Sequence, residues 1–379
     1  MPLYHNDDQA MLADSARGFM ADEGKIATQL RHFRDIGCKD GFGHALWTQF
    51  AEMGFTGMLV AEADGGLGMG HVEAGIVLEE IGRNLTPSPF LTSSVMAATA
   101  LAAGGDDLRG RYLPGLLDGS SVYAVAIDEG PKHRPERIAT TAVRAGNGFK
   151  LSGSKSFVVQ GGSADMLIVA ARTGGSDDDD AGITLFAVPK DAAGLSLDSV
   201  RLVDSAMAAH VKLDNVQLDA DAVIGELDGG RAVLNKVLNA GRVGAAAESV
   251  GVGMGAFDMT TTYLKQRKQF GKLIGEFQSL QHRAAHLYSE LEIAHAVVIK
   301  AQQLLDGGSD KADLMVSVAK AKAGQAAGLA VKEGVQMHGG IGMTDEYDIG
   351  LYMKRDRALA EFMGDKYYHA QRVAQLSGY

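Results

Sequence analysis

Residues 149–162 read FKLSGSKSFVVQGG. Apolar and polar side chains alternate along this stretch, the period of a strand with one buried face. The alternation predicts Phe149, Leu151, Phe157 and Val159 on one side. The segments DMLIVAAR, GITLFAVPK, LDSVRLVD and HVKLDNVQL follow in the same manner, joined by Gly- or Asp-rich turns. Strand-like character begins near Tyr123 and ends near Ile224–Gly225.

On both sides of this block the period becomes helical. Upstream, DDQAMLADSARGFMADE places Met11, Leu12, Ala16 and Phe19 at helical spacing, with Asp7 and Asp8 at its start. ALWTQFAEMGF, HVEAGIVLEEIGRNL and PFLTSSVMAATALAAGG read as further helices, the last two broken by TPSP. ADGGLGMG, residues 63–70, follows no strand and lacks nucleotide-binding spacing, so it reads as a loop. Downstream of Gly229–Gly230, Leu280, Ala284, Leu287, Leu291, Ala294, Val298, Ala301 and Leu305 step along one long helix. LDGGSD ends it, and another helix runs from about Lys311 to His338. Helices, strands, then long helices predict an α+β multidomain chain. The expected domains are an N-terminal helical one over 1–120, a central β domain over 121–226 and a C-terminal helical one over 227–379.

Composition narrows the functional classes. The 379 residues carry 36 basic against 47 acidic side chains, a net charge of −11, which disfavours nucleic-acid binding. Asp177–Asp180 form the one dense acidic block, expected in a solvated loop. Cys38 is the single cysteine, so no disulfide framework exists and a reducing cytoplasm is expected. The first residues, MPLYHNDDQ, lack the basic start and apolar run of a signal peptide, and no stretch has the length of a membrane span.

Two segments carry the chemistry: RKQFGKLIGEFQSLQHRAAHLY from Arg267 and QMHGGIGMTDEYDIGLYMKRDR from Gln336. With the strand block and the domain order, they resemble the acyl-CoA dehydrogenase family over nearly the whole chain. The resemblance implies a helical domain, a β-barrel-like domain and a C-terminal four-helix bundle around FAD, with no metal. It implies removal of the α and β hydrogens of a CoA thioester, one as a proton and one as a hydride. Arg267 matches an arginine whose fork holds the FAD pyrophosphate of a neighbouring subunit. Phe270, Phe277 and Gln278 match adenosine contacts. Gln336, Gly339 and Gly340 match a turn whose backbone N–H groups approach the partner's dinucleotide. Phe157 and Val159 match residues beside the flavin ring, with Val159 replacing a hydroxyl. Arg242 matches an arginine near the thioester.

The match fails where the proton acceptor should stand. One family position for the catalytic glutamate holds Met363, and the other, directly before Arg242, holds Gly241. Asp365, Glu361 and Glu248 are the acids within reach along the chain. The family's Gly-Ser-Asp segment is also replaced, by AIDEGPKHRPERIAT, where Lys132, His133, Arg134 and Arg137 stand either as phosphate ligands or as a solvated loop. The ending Gly364, Asp365, His369 and Arg372 resembles the small-subunit branch of the family. There, two different chains pair as α2β2 and only one type carries the base. The expected partners are therefore an acyl-CoA thioester and a second dehydrogenase-like chain, or else a homo-oligomer. Three alternatives stay open: a homomeric enzyme with Glu248 or Asp365 as an unusual base, a non-catalytic partner subunit, and a flavin monooxygenase on the same fold.

Overall fold

The strand block is an eight-stranded sheet. Its strands are β1 (Tyr123–Ala126), β2 (Thr141–Ala145), β3 (Gly148–Val159), β4 (Met166–Arg172), β5 (Ile183–Pro189), β6 (Leu195–Arg201), β7 (Met207–Leu218) and β8 (Val223–Ile224). They lie in the order β6-β7-β3-β2-β4-β5-β8, with β1 parallel to β4. The structure, a computed structural model, describes residues 3–379; Met1 and Pro2, the start of the expected first domain and of the leader reading, lie outside the described residues.

Strand β3 departs from simple alternation. Against β7 its register slips between Leu151 and Gly153 and again between Lys155 and Val158. The first slip places its extra residue on β7 and leaves the parity of β3 unchanged; the second adds a residue to β3 and swaps which parity faces the core. Phe149, Leu151 and Val158 are therefore the buried set, alongside the Lys155 side chain. Phe157, expected beside Phe149 and Leu151, is 39% exposed with a φ of 57°. Val159 is only half-buried. In the core, Phe149 meets Phe186 edge-on at 5.2 Å, and burial of each such side chain contributes about 1.5–3 kcal/mol.

The helices used below are α1 (Asp7–Asp22), α2 (His44–Glu52), α3 (His71–Asn84), α4 (Asp106–Leu117), α5 (Gly230–Gln266), α6 (Gln278–Asp306), α7 (Ala312–His338), α8 (Ile349–Glu361) and α9 (Lys366–Leu376). Helix α1 starts at Asp7, as expected, and Asn6 caps it in a reciprocal capping box with Gln9. Ala16 and Met20 anchor that helix, while Met11, expected on the apolar face, is 64% exposed. The expected helix over 89–105 begins as a π-helical turn, Phe90–Ala97. No described helix is long and apolar enough to cross a membrane.

The chain divides into two units. One holds the described residues up to His32, with His71–Pro87 and Arg242–Tyr379; the other holds Phe33–Gly70 and Ser88–Gly241, including the sheet. In the first unit, α7 packs against α6, α8 and α9. There α3 crosses α5 closely, because glycines face the contact. A Cβ at Gly251 would lie 2.0 Å from the Glu79 carbonyl oxygen, and one at Gly82 would lie 2.2 Å from that of Glu248.

Candidate functional site

Three places hold the residues singled out by the sequence. The first, in the first unit, is the joint between α8 and α9. Met363 sits there with a φ of 60° and 6% exposure. Next to it Gly364 has a φ of 98°, and a Cβ on it would fall 2.4 Å from the Tyr368 ring. Glycine is thus required twice, for its backbone and for its absent side chain. Asp365 caps α9: its Oδ1 accepts from the backbone N–H of Tyr367 at 2.9 Å and of Tyr368 at 2.8 Å. The buried His369 donates Nε2–H to the Met363 carbonyl at 2.9 Å. Arg372 reaches Asp313 at 3.2 Å. The spacing Gly-Asp-x-x-x-His-x-x-Arg is accordingly the wiring of this joint.

Two cations converge on it. Arg242 is 1% exposed and donates to the Tyr368 hydroxyl at 2.9 Å, its guanidinium 5.6 Å from that ring's centre. Lys320 donates to the Leu359 and Gly364 carbonyls at 2.9 and 3.2 Å. Leu359 lies in the last turn of α8, where carbonyls lack helical partners. Burial pushes the Lys320 amine down to about 8; Arg242 adds to the fall, while Asp356, Asp365 and Glu361 oppose it. Tyr368 and Lys320 were not singled out from the sequence, though Tyr368 lies between Gly364 and Arg372.

Glu248 is buried, and its Oε1 accepts from Arg355 Nε at 2.7 Å and pairs with Nη2 at 2.6 Å. Its charge is compensated across α5 and α8. Asp365 commits its carboxylate to the helix cap.

The second place, also in the first unit, is the end of α5 and the turn after α7. Arg267 follows the last residue of α5 and starts a hairpin of two short strands, β9 (Lys268–Gln269) and β10 (Lys272–Leu273). Phe270 and Gly271 form its two-residue tip, both at positive φ. The Phe270 side chain is 91% exposed, with Phe277 edge-on at 6.2 Å and Lys272 over the Phe277 ring. Arg267 is exposed and enters no side-chain pair among the described residues. Gln278 opens α6. Gln336 is exposed near the end of α7, and Gly339 closes that helix at φ 65° and ψ −140°. No atom comes within 4 Å of a Cβ built on Gly339 or Gly340. An unengaged guanidinium, exposed aromatic faces and accessible glycine backbone suit the pyrophosphate and adenosine half of a dinucleotide.

The third place is in the sheet unit. Phe157 lies within the second bulge of β3 and Val159 just beyond it. The neighbouring segment 127–140 is folded on itself. Lys155, fully buried, donates to the Ile127 carbonyl at 3.0 Å and to Glu129 at 2.7 Å. Glu129 also accepts from the Ala139 and Thr140 N–H groups at 2.7 and 2.9 Å. Burial raises the Glu129 carboxyl, but Lys155 and the hydrogen bonding from Thr140 bring it below its ordinary value. His133 is bound to Asp128 at 2.8 Å and Arg137 lies 3.6 Å from Asp177. His133 and Arg137 are thus engaged by nearby acids.

Three family models match in order: the acyl-CoA dehydrogenase N-terminal domain over residues 6–120, the middle domain over 128–216 and the C-terminal domain over 228–377. The chain is 34% identical to the acyl-CoA dehydrogenase FadE12 of Mycobacterium tuberculosis, over 82% of each sequence. It is 30% identical to a chain of the Tcur3481–Tcur3483 steroid acyl-CoA dehydrogenase, covering 98% of each with a TM-score of 0.87. The fold is shared with a glutaryl-CoA dehydrogenase of Mycobacterium smegmatis in complex with FADH2, at 22% identity, TM-score 0.89, and 99% and 96% coverage.

Proposed function

From the premise that the chain belongs to the acyl-CoA dehydrogenase family, FAD-dependent oxidoreductases acting on the CH–CH bond of acyl-CoA, we propose that it is one subunit of a heteromeric enzyme whose partner chain supplies the base. The observation that carries this reading is the α8–α9 joint. A buried thioether stands at the matched base position, and the three acids singled out near it have partners of their own: Asp365 caps a helix, Glu248 pairs with Arg355 and Glu361 with Arg357. Proton abstraction next to a thioester needs a carboxylate within hydrogen-bond reach.

The chain's contribution is then a grip across a subunit boundary. Arg267 binds the pyrophosphate with its fork, Phe270 and Phe277 flank the adenine, and the Gly339–Gly340 backbone closes on the dinucleotide. Bound FAD supplies the acceptor for the hydride. Arg242, held by Tyr368, faces the acyl end. The pairing of two chain types in the steroid enzyme, together with the missing base, favours an α2β2 assembly in the cytoplasm acting on a bulky, cyclic or dicarboxylic CoA thioester.

Flavin content tests the proposal. Co-expressed with a second dehydrogenase-like chain bearing an intact glutamate, the protein is expected to co-purify with FAD, and Arg267→Ala is expected to release it. A co-purified complex that never carries FAD overturns the reading. A second reading, an assembly partner whose own site stays empty, is favoured by the self-contained 127–140 segment. Flavin at half rather than full occupancy per chain selects it.

A further inference from the structure

Tyr263, His338 and Tyr347 form an aromatic cluster in the first unit, stacked between Tyr263 and His338. The His338 ring lies 4.4 Å from Tyr263 at 29° between planes, and 4.9 Å from Tyr347. Tyr263 and Tyr347 themselves meet at 6.0 Å. Each ring belongs to a different piece of backbone. Tyr263 is one turn before the end of α5, and its carbonyl accepts the Arg267 N–H at 2.9 Å. His338 is the last residue of α7, directly before Gly339. Tyr347 stands just before α8.

The stack therefore ties the backbone that presents Arg267 to the backbone that presents Gly339–Gly340. We propose that His338 is a positioning residue for the cofactor, setting the separation between Arg267 and the Gly339–Gly340 turn. The inference rests on the reading that these residues hold a dinucleotide, and it adds a condition to that grip.

The condition is protonation. His338 Nδ1 lies 2.6 Å from the Gly334 carbonyl, so the ring donates from Nδ1. Nε2 is buried and makes no hydrogen bond. A neutral ring suits that environment. A second proton would place an N–H and a positive charge where no acceptor stands. The groups facing the ring are the phenols of Tyr263 from α5 and Tyr347 from the segment before α8, and the Gly334 carbonyl from its own helix. Asp348, next to Tyr347, is engaged by Arg31 at 2.7 Å. Burial lowers the His338 imidazole from its ordinary value, against the pull of the Gly334 hydrogen bond. The unfolded chain thus takes up the proton first as pH falls. The contribution of the stack is full above about 6.5 and is lost below it, toward the lowered folded value.

The test uses the intact FAD-loaded assembly. FAD affinity is measured by flavin fluorescence at pH 7.5 and 5.5, in the wild type and in His338→Phe, each normalised to its own pH 7.5 value. Amide hydrogen exchange of peptides covering 336–343 is followed in parallel, corrected for the intrinsic effect of pH. The expected result is weaker wild-type FAD binding at pH 5.5 than at pH 7.5, with faster exchange in 336–343, and a clearly smaller response of both in His338→Phe. Equal pH responses in the two proteins overturn the proposal. An assembly that binds no FAD at any pH strikes at the function proposed above, and the exchange comparison then still decides the role of His338. If His338→Phe fails to fold, His338→Gln serves in its place, because its amide takes up no proton in this range.

Discussion

Replacing Glu248 by Gln separates a structural strut from a proton acceptor. Glu248 is buried on α5, and one of its oxygens receives both Nε and Nη2 of Arg355 at 2.7 and 2.6 Å. The amide keeps the shape and one acceptor oxygen but removes the charge. Charge-assisted hydrogen bonds contribute about 1.5–3 kcal/mol each, roughly twice a neutral one. Arg355 is partly exposed, so water restores part of the loss. The expected cost is about 2 kcal/mol, a fall in Tm of roughly 4–8 °C for a unit of this size. A double-mutant cycle with Arg355→Gln should return most of that as a coupling energy. Dye-linked turnover per bound flavin should stay unchanged. Loss of a general base would instead cost about a hundred- to ten-thousandfold in rate. Unaltered Tm with collapsed turnover would refute the reasoning and make Glu248 the base.

Gly251→Ala should destabilise the first unit by about 1–3 kcal/mol, because its new methyl group meets the Glu79 carbonyl and the α3–α5 crossing must spread; an unchanged thermal transition would show that the crossing yields freely. Lys320 makes stability depend on pH in alkali. Its folded value of about 8 lies below the ordinary 10.5, so the unfolded chain holds the proton longer and stability rises with pH between the two, by on the order of 3 kcal/mol in total. Lys320→Met should abolish that rise in urea titrations at pH 7.5 and 9.5, and equal slopes for the two proteins would count against it.

Much of this was legible in the sequence because the signals are local. The change from period two to period 3.6 marks the sheet and the long helices. The Gly339–Gly340 turn was read from its own few residues, whereas the hairpin after Arg267 was not anticipated. Two other kinds of feature were not legible. Strand β3 carries a bulge that only its pairing with β7 reveals, so simple alternation assigned Phe157 and Val159 to the core face that Val158 occupies. Pairings across helices were also hidden: Arg355 lies 107 residues from Glu248, and Tyr368 lies 126 residues from Arg242. No local pattern announces such a partner. His338 was printed inside the motif, but its role appears only when Tyr263 and Tyr347 are brought against it.

The Gly364, Asp365, His369 and Arg372 set bears on how relatives are recognised. Each member secures the bend between two helices: one clears room for a ring, one caps, one ties down a carbonyl and one staples the last helix to Asp313. Selection for a sturdy hinge would preserve all four whether or not a chain turns over substrate. Genomes screened with that signature would yield proteins sharing a hinge, and their reactions would have to be established one by one.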